Sequence, residues 1–222
     1  AEDIKKLREK GKQIIIVSSG AIALGAKDLN LRMKELKMDM NQAVSSVGQI
    51  HLMSSYKSAF EKNEIKVSQI LLTLDDTEQR RRSINARRTI DTLLNLNIVP
   101  IVNENDTIAT TEIRYGDNDR LASRVAQISS ADCLIMLSNI NGLYSSDPKN
   151  DNEIKLIDKV TEINTEIEEM IGTSVSETGK GGMKTKIQAA KTALLSGCHL
   201  AITNGTINPV SYTHLTLPTS RS

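Results

Sequence analysis

Five short apolar runs recur along this chain, with segments of helical periodicity between them. The runs are 13–18 (QIIIVS), 65–72 (IKVSQILL), 98–102 (IVPIV), 132–138 (DCLIMLS) and 198–203 (CHLAIT). Between them, 40–62, 81–96, 118–129 and 182–196 carry amphipathic helical patterns. Short apolar strands alternating with such helices pair in parallel and are covered on both faces. The expected fold class is therefore α/β, a three-layer α/β/α sandwich around a mainly parallel central sheet. An opening helix, AEDIKKLREKG over 1–11, ends at Gly11. An α/β chain that starts on a helix is expected to have lost its first strand.

With 222 residues, no internal repeat and no low-complexity linker, residues 1–209 read as one domain, incomplete at both ends. One Phe, four Tyr and no Trp leave the core to aliphatic side chains. The segment VSYTHLTLPTSRS, 210–222, has no periodicity and follows Pro209 abruptly. It reads as disordered cloning or adapter sequence and is excluded from the fold.

A net charge of +1 gives no global field towards nucleic acid or an acidic membrane. No apolar run has the length of a membrane span, and no signal peptide precedes Ala1. Cys133 and Cys198 lie in or beside apolar runs without zinc-ligand spacing. They read as buried small hydrophobes in a reducing compartment, so the expected location is the cytoplasm. The arginines at 80–82, 87 and 88 are offset by Asp75, Asp76 and Glu78 and lack interleaved aromatics. They read as a solvated helix face or subunit contact. The scattered histidines form neither a triad nor a metal site, and no metal-binding residue is expected.

Ligands of open parallel sheets bind beyond the C-terminal ends of the strands. Every unusual segment lies there. Ser19-Gly20 follows the first run and opens a helix, where Gly20 serves the turn and Ser19 could cap. The same geometry exposes N–H groups to an anion. NENDTIATTEIRYGDND, 103–119, follows the third run and gathers Glu104, Asp106, Glu112, Asp117 and Asp119. A long loop of this kind inside a compact domain is usually functional. Capping of the next helix explains one of these acids, not the cluster. Ser138-Asn139 and NGLY follow the fourth run. SETGKGGMKTK, 176–186, precedes the last helix. Its glycines let backbone approach phosphate and its lysines neutralise charge, although it is neither a Walker A loop nor GxGxxG. Met183, Ile187, Ala190 and Leu194 share a helix face, with Lys186 at its edge.

In their order, VSSGAIALG, VNENDTIATTEIRYGDND, LSNINGLYSSDP and GKGGMKTK resemble the glutamate 5-kinases of the amino acid kinase superfamily. The resemblance spans residues 1–209. It implies the amino acid kinase fold and ATP-dependent phosphorylation of the γ-carboxylate of L-glutamate, the first step of proline biosynthesis. Carried over by motif, Ser19, Gly20, Asp106 and Asn118 would bind glutamate. Lys186 would contact the transferring phosphoryl group, and Asp119 would position the catalytic lysines. Ser138, Asn139, Lys180, Gly181, Gly182, Met183, Lys184, Thr185 and Lys186 would line the ATP site, with Mg²⁺ arriving on the nucleotide. A homo-oligomer, dimer or tetramer, and feedback inhibition by proline are also implied.

Two departures stand out. The family's first strand carries a phosphate-binding Lys and a Gly, and this chain starts after it, so it is expected to be inactive as it stands. Asn139 occupies a position where the family usually has Asp. The alternatives are a related kinase acting on another small carboxylate, or a non-catalytic module binding a ligand or nucleic acid.

Overall fold

The computed structural model describes residues 1–33, 36–109, 117–139, 141–145, 155–160, 163–165, 167 and 182–206. The chain divides into two compact units, Ala1–Leu121 and Ala122–Ser222.

The first unit is built on three parallel strands. These are β1 (Ile16–Val17), β2 (Val67–Leu72) and β3 (Val99–Glu104), in the order β1-β3-β2. Its helices are α1 (Glu2–Glu9), α2 (Ala21–Asp28), α3 (Met38–Glu61), α4 (Leu74–Glu78), α5 (Arg80–Asn95) and the start of α6 (Asp117–Ile128). Val99 and Ile101 of β3 pack with Phe60 and Ile65, and Ile4, Met53 and Tyr56 lie against them. Pro100 and Val102, of the opposite phase along the strand, are also fully buried. Both faces of β3 are therefore covered, which is why its sequence is a continuous apolar run rather than an alternation.

Helices α2 and α3 touch through backbone. A Cβ built on Gly48 would lie 1.7 Å from the Ala21 carbonyl oxygen, and one built on Gly25 would lie 2.0 Å from that of Val44. Only glycine allows this approach. It fixes the start of α2 beside the middle of α3.

The second unit contains two strand pairs. β4 (Cys133–Ser138) runs parallel to β7 (His199–Asn204), and β5 (Leu143–Tyr144) runs antiparallel to β6 (Leu156–Ile157). Helix α7 (Gly182–Leu195) packs Ile187 and Met183 with Leu143 and Ile167, and Ala193 with Ala126 and Cys198.

The α/β class and mainly parallel pairing agree with the sequence reading. The five apolar runs all become strands, but the first shrinks to two residues and the third extends to Glu104. The small α4 and the antiparallel β5/β6 pair are additions. α4 is a single turn with a capping box: the Thr73 hydroxyl accepts from the Asp76 N–H, and Asp76 accepts from the Thr73 N–H. The face expected on α7 is rotated slightly, since Ala193 is fully buried while Leu194 is 44% exposed. Arg80, Arg81, Arg82, Arg87 and Arg88 are exposed, with Arg82 paired to Asp76 and Arg87 to Asp91. Among the described residues no helix is long and apolar enough to cross a membrane. The tail at 210–222 lies outside the described residues.

Candidate active site

Parallel pairing of β1 with β3 brings their C-terminal ends side by side, and the Ser18 N–H donates to Val102 O at 2.8 Å. Ser18 is buried, and its hydroxyl lies 2.9 Å from the Tyr56 hydroxyl on α3. Ser19 and Gly20 follow, both exposed. The N-cap of α2 is Gly20 rather than Ser19, with φ 104° and no side-chain cap. A positive φ of this size favours glycine, and Gly20 has no side chain with which to cap the first N–H groups of α2. A helix start of this kind attracts anions.

At the end of β3 the chain delivers Asn103, Glu104 and Asp106. Asp106 is 7% exposed and accepts a hydrogen bond from Ser45 Oγ at 2.5 Å. A carboxylate this buried needs such partners. Asn118, near the start of α6, donates from Nδ2 to Ser18 O at 2.5 Å and to Asn103 Oδ1 at 3.4 Å. Asn103 Nδ2 in turn donates to Gln49 Oε1 on α3 at 2.8 Å. Asp119 is half-buried beside Asn118 in sequence.

The structure thus gathers Ser19, Gly20, Asp106 and Asn118 at one pair of strand ends. It adds Ser18, Ser45, Gln49, Tyr56 and Asn103, to which the sequence reading gave no role. The available signal was QAVSSVGQ, 42–49. Ser45 and Gln49 stand one helical turn apart and are buried with Val44 and Leu52. Polar side chains on a buried helix stripe need buried partners.

In the second unit the ends of β4 and β7 are tied by polar contacts. The Gly205 N–H donates to Ser138 O at 2.8 Å, and Asn204 Nδ2 donates to Asn141 Oδ1 at 3.1 Å. The Ser138 hydroxyl donates to Asn139 Oδ1 at 3.4 Å, and Asn139 is exposed. Helix α7 begins at Gly182 with Lys184, Thr185 and Lys186 in its first turns. Lys184 is exposed, whereas Lys186 is half-buried beside Ile187. Met183 belongs to the apolar cluster around Ile187. Lys180 and Gly181 lie outside the described residues.

A sequence model of the amino acid kinase family matches residues 1–204. The chain belongs to the amino acid kinase family. Among solved structures, aspartate kinase from Synechocystis aligns with a TM-score of 0.58 at 16% identity, covering 93% of this chain and 35% of that one. The isopentenyl phosphate kinase of T. acidophilum aligns with a TM-score of 0.53 at 14% identity, covering 86% of this chain and 75% of that one. These two likenesses show the amino acid kinase fold. Among curated proteins, the glutamate 5-kinase of Pelagibacter ubique is 59% identical over 208 residues, 94% of this chain and 56% of the relative. That of Allorhizobium ampelinum is 54% identical over 210 residues, 94% of this chain and 54% of the relative. The chain therefore spans about half the length of the curated relatives it matches.

Proposed function

We propose that this amino acid kinase chain phosphorylates the γ-carboxylate of L-glutamate with ATP, giving L-glutamyl 5-phosphate for proline biosynthesis. One observation carries the reading. A buried carboxylate, a set of side-chain amides and a helix start with glycine at its N-cap meet at one pair of parallel strand ends. That combination suits a zwitterionic amino acid: Asp106 accepts from its ammonium group, and amide and backbone N–H groups receive carboxylate oxygens. The two glutamate 5-kinase relatives support the choice of amino acid.

The chemistry asks little of the protein beyond position and charge. A γ-carboxylate oxygen attacks the γ-phosphorus of ATP. The new O–P bond forms as the bond to the β–γ bridging oxygen breaks, and ADP leaves with that electron pair. The carboxylate is already ionised at neutral pH, so no base is needed. In this reading Ser19, Gly20, Asp106 and Asn118 hold glutamate. Lys186 neutralises charge on the transferring group, and Asp119 orients it. Ser138, Asn139 and residues 180–186 receive the nucleotide. Mg²⁺ would come with the phosphates and screen their charge. A homo-oligomeric enzyme in the cytoplasm, inhibited by proline, completes the proposal.

The test is acyl-phosphate trapping. The chain, extended with the parts of its Pelagibacter relative that lie outside the match (the completed enzyme), is incubated with ATP, Mg²⁺ and hydroxylamine. Glutamate, aspartate, acetylglutamate and carbamate are offered separately. Hydroxamate with glutamate alone is the expected result. Product from another acid moves the substrate, and no product from a folded protein that binds ATP removes the catalytic reading.

A further inference from the structure

The amides of the strand-end site form a relay whose direction is fixed. Ser18 O is a backbone carbonyl and can only accept, so the Asn118 group 2.5 Å from it is the Nδ2 donor. The same Nδ2 lies 3.4 Å from Asn103 Oδ1, so Asn103 presents its Nδ2 to Gln49. Gln49 must therefore accept with Oε1, at 2.8 Å. This leaves Gln49 Nε2 at the end of the relay. Gln49 is 9% exposed, and its Nε2 is fully buried with no hydrogen-bond partner among the described residues. A buried amide donor left unpaired is costly and calls for an acceptor.

The position of that donor is informative. Gln49 stands one turn of α3 beyond Ser45, the residue that donates to Asp106. Side chains one turn apart are separated by about 5–6 Å at Cβ. The Ser45 proton is already given to Asp106, so of the two only Gln49 Nε2 has a donor left for an acceptor there.

Resting on the glutamate-kinase reading, we propose that Gln49 Nε2 donates to the α-carboxylate of the substrate, while Asp106 holds the α-ammonium group. The two charged groups on an amino acid's α-carbon match the Gln49 donor and the Asp106 carboxylate, which is held by Ser45 one turn of α3 away from Gln49. The γ-carboxylate is then left to point away, towards the phosphoryl donor. Gln49 thus reads the α-amino acid head and makes the site refuse acids that lack it. A glutamine suits this role because it is neutral: it completes the relay and donates without adding charge beside Asp106.

The experiment is titration calorimetry of the 222-residue chain with glutamate, aspartate, acetylglutamate and 4-aminobutyrate. The last lacks the α-carboxylate. Gln49→Glu keeps an acceptor for Asn103, removes the donor and adds a negative charge. Gln49→Met removes both. ADP affinity and melting temperature are recorded for each protein. We expect Gln49→Glu to weaken glutamate binding by roughly ten- to hundredfold, the range of a hydrogen bond to a charged group. We expect ADP binding to be unchanged, and preference for glutamate over 4-aminobutyrate to shrink in both variants, more in Gln49→Glu, whose charge repels the α-carboxylate. If Gln49→Glu binds glutamate like the parent while Gln49→Met does not, the side chain only supports Asn103 and the proposal is overturned. If the parent binds another acid of the panel and Gln49→Glu loses it, the substrate reading fails and the role of Gln49 stands. If the parent binds none of them, both fail.

Discussion

Gly48→Ala probes the packing that builds the substrate pocket. A methyl group there would sit 1.7 Å from the Ala21 carbonyl oxygen, 2.5 Å from Gly25 N and 2.7 Å from the Ala21 carbonyl carbon. All three neighbours are backbone, so no side-chain rotation relieves the clash. Restoring van der Waals distance requires α2 to withdraw from α3 by about 1.5 Å. Overpacking of this kind costs about 1–3 kcal/mol, and more where neither side yields. Alanine returns about 1 kcal/mol through its better helix propensity. With a rigid backbone contact on both sides, we expect a net loss of about 2 kcal/mol. That is a sizeable part of a stability of roughly 5–15 kcal/mol. Melting would fall by roughly 4–8 °C. Urea unfolding followed by circular dichroism reads the first effect. Glutamate titration reads the second, because the displaced elements are the start of α2 and the helix carrying Ser45 and Gln49. Ser46→Ala, on the exposed side of α3, is the control and should stay within about 0.5 kcal/mol. A Gly48→Ala protein as stable as its parent, with unchanged glutamate affinity, would refute the close-approach argument.

Further outcomes follow from particular side chains. Lys186→Ala in the completed enzyme should cut turnover at least a hundredfold and change the glutamate KM little; a mainly KM effect would remove Lys186 from the phosphoryl group. Burial pushes the Asp76 carboxyl up, but hydrogen bonds from the backbone and hydroxyl of Thr73 and from Arg82, with the Arg82 charge, outweigh it and hold its pKa below the usual carboxylate value. A depressed folded-state pKa stabilises above the unfolded value, about 3.9, and the benefit is lost as pH falls through the lower folded value. Asp76→Asn should therefore lower the urea midpoint at pH 7, and its difference from the parent should shrink below pH 4; a constant difference would contradict this. The Cys198 thiol is pushed up to about 11 by burial and by the neighbouring Cys133 and Asp132. Native alkylation at pH 8 should modify half-buried Cys133 first, and mass mapping that found Cys198 ahead would overturn that assignment.

Much of the molecule was legible because its strands are short, apolar and well separated. Parallel burial makes β3 uniformly hydrophobic, so IVPIV announced itself. Strand ends carry the polar departures, so Ser19, Asp106 and Asn118 stood out against apolar surroundings. What sequence reasoning did not see depends on pairing across distance. Ser45 and Gln49 look unremarkable within α3 until Gly25 and Gly48 bring α2 against it and β3 delivers Asn103 and Asp106. Cross-sequence separations of 54 and 61 residues join these partners, and no local periodicity encodes them. Asn103 was hidden differently, because its side chain acts inside the relay rather than at its surface. The β5/β6 pair was illegible because two-residue strands carry no period.

The central claim is that a glutamate carboxylate oxygen attacks phosphorus. It is tested most directly with glutamate carrying ¹⁸O in both γ-carboxylate oxygens, the completed enzyme, ATP, Mg²⁺ and hydroxylamine. Hydroxylamine attacks the acyl carbon and expels phosphate together with the oxygen that joined it to carbon. Phosphorus NMR should then show inorganic phosphate bearing one ¹⁸O, in amount equal to the hydroxamate and to the ADP formed. Unlabelled phosphate in the same amount would mean that ATP was hydrolysed by water and that no bond between the γ-carboxylate and phosphorus was made.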